Sequence, residues 1–108
     1  MKKNLLFISI IYLSPCFASV HQMAQKLTAE QIVKQYCSTC HAKQPLIELG
    51  APKIGNTQDW EVRLKQGVKM LLKHTMNGWR AMPARGGCFD CSDQQLEQAI
   101  SILIDNKK

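Results

Sequence analysis

"YCSTCHAK", residues Tyr36 to Lys43, sets two cysteines three positions apart and follows the second at once with a histidine. Upstream, Thr28 with Gln31 three residues later forms a capping-box pattern, and Ile32, Val33, Tyr36 and Cys40 then recur at helical spacing. One helix therefore delivers both thiols on a single turn, with His41 at its end. A second pair, Cys88 and Cys91, closes the stretch "AMPARGGCFDC" (Ala81 to Cys91) without a histidine beside it. The two pairs are either four ligands of one metal or two sites of different chemistry.

Downstream of the first pair, Pro45, Gly50, Pro52 and Gly55 mark Ala42 to Gly55 as an irregular loop. Asn56 or Thr57 caps a second helix, "QDWEVRLKQ", which is expected to end at Gly67. A third, "VKMLLKHTMN", is stopped by Gly78, with Val68, Leu71, Leu72, Thr75 and Met76 on one face and Lys69, Lys73 and His74 away from it. Ser92 with Gln95 is another capping box, opening a last helix whose stripe is Leu96, Ala99, Ile100 and Leu103. No segment alternates with period two, so the chain reads as all-α, about four short helices and two long loops.

The N-terminus has the pattern of an export signal. Lys2 and Lys3 precede the apolar run "LLFISIIYL" (Leu5 to Leu13), too short to span a bilayer, and Cys16-Phe17-Ala18 places small residues at a cleavage position. Residues 1–18 are thus expected to be removed, leaving a domain over 19–108. The rival, acylation of Cys16, is disfavoured by Pro15. Export implies an oxidising compartment, here the periplasm, in which the four remaining cysteines should all be occupied. Lys2 and Lys3 account for two of the formal +6, leaving a mild basic excess. No run of Lys and Arg interleaved with aromatics points to nucleic acid, whereas docking onto an acidic protein surface suits the charge. With two tryptophans and two tyrosines, one of them Tyr12 in the signal, the core is thin, and something besides side chains should help fill it.

Cys37-Ser38-Thr39-Cys40-His41 is C-x-x-C-H, the attachment signature of c-type haem. Two thiols on one turn add to the two haem vinyl groups, and the next residue turns its imidazole toward the iron. A thioredoxin-like pair would need a preceding strand, and a Cys₄ zinc site would normally bring its pairs closer together. An iron held by His41 needs a sixth ligand to carry electrons, or an open position to act as a peroxidase or gas sensor. The candidates are Met23, Met70, Met76, Met82, His21 and His74. Met82 has the best context: it follows the Gly78 helix stop and precedes Pro83, in an extended loop. Met76 suits core filler, while His21 and Met23 lie in the N-terminal tail.

Taken together, "CSTCH" (Cys37 to His41), "GAPKIG" (Gly50 to Gly55), Trp60, "NGWRAMPARGGC" (Asn77 to Cys88) and "CSDQQLEQAI" (Cys91 to Ile100) resemble the class I c-type cytochromes, and among them the small bacterial cytochrome c5 type. The resemblance implies the class I cytochrome c fold around one covalent haem c. It implies thioethers from Cys37 and Cys40, axial ligands His41 and Met82, and a disulfide between Cys88 and Cys91. It also implies that the Pro52 carbonyl accepts a hydrogen bond from the free ring nitrogen of His41, and that the first and last helices cross, Ile32, Val33 and Tyr36 against Leu96, Ile100 and Leu103. Trp60 suits packing beside the haem and plain core packing equally. The implied function is single-electron transfer in a respiratory chain, with no catalysis. The implied partners are redox proteins such as a membrane reductase or oxidase complex; membrane-surface association and a monomer or weak dimer are both compatible. The loop Ala42 to Leu49 departs from the family in being longer and more apolar.

Overall fold

The computed structural model describes residues 26–105. The expected export segment and the domain boundary at residue 19 lie outside the described residues. Within them, α1 (Ala29–Ile32), a π-turn (Val33–Cys37) and α2 (Ser38–His41) run on as one rod. There follow α3 (Thr57–Leu64), α4 (Val68–Asn77), a 3-10 turn (Ala84–Gly87) and α5 (Asp93–Asp105). The fold is all-α, as expected; β-type pairing among the described residues amounts to an isolated antiparallel bridge between Trp79 and Met82.

Both capping boxes form. Thr28 Oγ1 accepts from the Gln31 amide at 3.3 Å while Gln31 Oε1 accepts from the Thr28 amide at 2.8 Å. Ser92 and Gln95 repeat the exchange at 3.2 and 2.8 Å. Each box satisfies two amides that the first helical turn would otherwise leave unpaired. Asn56 caps α3 through the Asp59 amide at 3.2 Å. That helix ends at Leu64 rather than at Gly67, which instead precedes α4 at φ 86°.

The rod from Ala29 to His41 lies across α5, and their apolar faces make the core: Ile32 and Val33 with Leu96, Ala99 and Leu103, joined by Trp60 and Leu71. Gln95, buried in this contact, donates from Nε2 to the Leu27 carbonyl at 2.7 Å, so the residue that caps α5 also fastens it to the start of the rod.

One expectation about this contact is corrected. Tyr36 is 37% exposed, and Cys37 packs against the core instead. The reason is the π-turn, in which the Ser38 amide reaches five residues back to the Val33 carbonyl. The added residue displaces the helical register by about 100°, so position 37 inherits the inward direction that α-helical spacing assigns to 36. Val68, expected on the apolar face of α4, is likewise exposed, whereas Leu71 and Thr75 are buried.

Candidate functional site

The histidine side is built from the end of the rod and the loop that returns beneath it. His41 is buried, and its Nδ1 donates to the Pro52 carbonyl at 2.7 Å. Its own carbonyl accepts from the Ile54 amide, also at 2.7 Å. A carbonyl only accepts, so the ring proton resides on Nδ1 and Nε2 carries the free lone pair. Burial lowers the His41 pKa below the ordinary histidine value, with the Pro52 hydrogen bond opposing and the Arg63 charge reinforcing the shift. The neutral imidazole, the form that ligates metals, is thereby favoured.

Trp60 supports this arrangement from α3. Its indole lies nearly parallel to the His41 ring, at 6.1 Å between centroids and 17° between planes. Its Nε1 donates to the Lys53 carbonyl at 2.9 Å, and Asp59 Oδ2 accepts from the Lys53 amide at 3.0 Å. The segment Pro52 to Gly55 is thus held from α3, from His41, and from α5 through the Gly55 amide to the Leu103 carbonyl at 2.9 Å. Sequence motifs pointed to Pro52 and Trp60, but nothing in the sequence marked the Lys53 backbone as the hinge of the loop.

Cys37 and Cys40 are free thiols on the turn before His41. Burial pushes the Cys37 thiol up to about 11. A redox-active pair of the thioredoxin kind relies on a lowered thiol pKa, and here the shift runs the other way. Cys88 and Cys91 are joined as a disulfide, with Cα atoms 5.4 Å apart. That leaves no Cys₄ set, and no group of three or more metal-ligating side chains occurs among the described residues.

The methionine side is a loop between α4 and α5. Met82 is half-buried and exchanges two backbone hydrogen bonds with Trp79, at 2.9 and 3.0 Å. Gly78 turns the chain at φ 82°; a Cβ there would stand 3.0 Å from the Ala84 nitrogen and 3.1 Å from the Met82 oxygen, so only glycine fits. Arg85 braces the far end, its guanidinium donating to the Cys91 carbonyl at 2.5 Å and to Asp93 at 2.9 Å. Of the other candidate ligands, Met76 packs against the core, Met70 is exposed, and His74 stacks on Trp79 at 4.1 Å. His21 and Met23 lie outside the described residues. Leu46, Ile47 and Leu49 of the unusual loop are all exposed.

Residues 24–101 match the family described as cytochrome c oxidase, cbb3-type, subunit III. Cytochrome c5 of Ectopseudomonas mendocina is 40% identical over 75 residues, covering 68% of this chain and 83% of that one. The chain belongs to the class I c-type cytochromes. A mono-haem ferrocytochrome c from Shewanella putrefaciens superposes with a TM-score of 0.63 at 42% identity, over 71% of this chain and 91% of that one. The crystal structure of an electron transfer complex of nitrite reductase with cytochrome c gives 0.61 at 33% identity, over 69% and 88%. The cytochrome is a small haem c electron carrier rather than an enzyme, and it holds one haem c covalently. Its donor set fits that group: two uncommitted thiols on one turn, then a neutral imidazole whose second nitrogen is already held.

Proposed function

We propose that Cys37 and Cys40 form the haem thioethers, that His41 Nε2 and the Met82 sulfur are the axial ligands, and that the cytochrome carries single electrons in a periplasmic respiratory chain. The observation that carries this reading is the His41–Pro52 hydrogen bond of 2.7 Å, which leaves Nε2 as the nitrogen for the iron. Haem c, when bound, supplies a centre that takes up and releases one electron. The protein's part is to keep both ligands in place whatever the charge on that centre. Pro52, Ile54 and Trp60 stop the imidazole from turning, and the bridge to Trp79 fixes the backbone that bears Met82. A soft thioether opposite the imidazole raises the reduction potential relative to two histidines.

An open iron, as in a peroxidase or gas sensor, would call for a distal base. His74 is the one histidine besides His41 among the described residues, and it is stacked on Trp79. Absorption spectra of wild type and Met82→Ala test the ligand assignment. A sulfur-to-iron charge-transfer band is expected in the first and not in the second, and its survival in Met82→Ala would overturn the assignment.

Removal of residues 1–18 belongs to the same reading, and N-terminal sequencing of the exported protein should begin near Ser19. No helix among the described residues is long and apolar enough to cross a membrane. The partner is a redox protein such as a membrane reductase or oxidase complex, acidic where it meets the lysines. Electron-transfer rates with it should fall as salt rises; rates indifferent to ionic strength would argue against steering by charge.

A further inference from the structure

Trp79 is a large indole in a loop, 52% exposed, yet it is tightly engaged. The His74 imidazole of α4 stacks on it at 4.1 Å and 12°. The Arg80 guanidinium lies 5.8 Å from the centre of the same ring. Arg80 itself has φ 53°, a left-handed conformation that strains a non-glycine residue. The two hydrogen bonds between Trp79 and Met82 close a two-residue turn across Arg80 and Ala81. In such turns the first central position is ordinarily glycine, and here it is arginine.

We propose that His74 and Trp79 are positioning residues for Met82. Their stacked rings, joined by the Arg80 guanidinium, hold shut a turn whose backbone is strained, and so determine how firmly Met82 is presented to the iron. The inference rests on the assignment of Met82 as ligand. It goes beyond that assignment in giving a role to two side chains outside the ligand set, the attachment motif and the disulfide. An aromatic pair of this kind contributes about 1 kcal/mol beyond its buried area, enough to change an opening equilibrium about fivefold.

Two rates measured on the haem-loaded protein test it: hydrogen exchange of the Met82 amide, and displacement of the sulfur ligand by added imidazole, followed by loss of the charge-transfer band. His74→Ala should raise both about fivefold while leaving amide exchange in α5 unchanged. His74→Phe, which keeps a ring over the indole, should return both to near wild type. In the His74→Ala background Arg80→Gly should also slow exchange of the Met82 amide, since glycine holds a positive φ without support. Unchanged rates in His74→Ala would overturn the proposal, as would a rise shared equally by the α5 amides, because that reports general destabilisation. Persistence of the charge-transfer band in Met82→Ala would instead remove the ligand assignment, and the Met82 amide would still report whether the rings hold the turn.

Discussion

The two sides of the proposed haem site are held by different means. His41 is buried, and the loop that fixes it is tied to α3, to α5 and to His41 itself by hydrogen bonds of 2.7 to 3.0 Å. Met82 stands in a loop of glycines and positive-φ residues, closed by one turn, one short disulfide and one arginine. On the first side the proposed ligand shares its supports with the core, so loosening it means loosening the domain. On the second, the supports are local, and the ligand can be disturbed while the helices stay packed. Histidine suits the first arrangement because a second ring nitrogen is available to be held. A thioether has no such handle, so only the backbone around it can be fixed.

The largest expected effect breaks the buried side. Trp60→Ala removes a core side chain, the ring beside His41 and the indole bond to Lys53, and should cost about 3–5 kcal/mol in unfolding free energy. A cost under about 1 kcal/mol would mean that the core and the His41 support are separate after all. Next comes Gly78→Ala on the exposed side. The positive φ and the close approach to Ala84 should together cost roughly 2 kcal/mol, with a weakened charge-transfer band at temperatures where the helical circular dichroism is unchanged. If band and helicity fail together, the methionine loop is not a local unit.

Replacing Cys88 and Cys91 by serine should cost about 2 kcal/mol, since so short a loop constrains the unfolded chain only slightly. Here too the band should suffer before the melt does. Smallest is Trp60→Phe, which keeps a ring beside His41 but leaves the Lys53 carbonyl without its donor. About 1 kcal/mol is expected in chemical denaturation, and an effect as large as that of Trp60→Ala would assign the whole contribution of Trp60 to the indole hydrogen bond.

Much of this contrast was legible in the sequence, and what was not has a common cause. Capping boxes are local exchanges between residues three apart, so Thr28–Gln31 and Ser92–Gln95 could be read directly. The C-x-x-C-H pattern named its own chemistry, and Gly78 ended α4 where a glycine should. The π-turn left no such mark, because an added residue in a helix alters the direction of side chains without altering their identity; hence the misplaced Tyr36. The second bond of Gln95, to Leu27, spans 68 residues and is invisible to any local pattern. The His74–Trp79 stack joins a helix face that looked merely solvated to a residue read only as part of a loop. Arg80 and Arg85, both at positive φ, occupy positions where glycine would have announced a turn.

The π-turn also bears on engineering. Grafting the pentapeptide Cys37 to His41 onto an ordinary α-helix would copy every residue of the motif and still carry the first sulfur about 100° around the helix axis relative to the helix that leads into it. A scaffold intended to accept haem at this motif must therefore be chosen by the register of the preceding turn. Where no five-residue turn can be accommodated, one residue should be removed before the first cysteine.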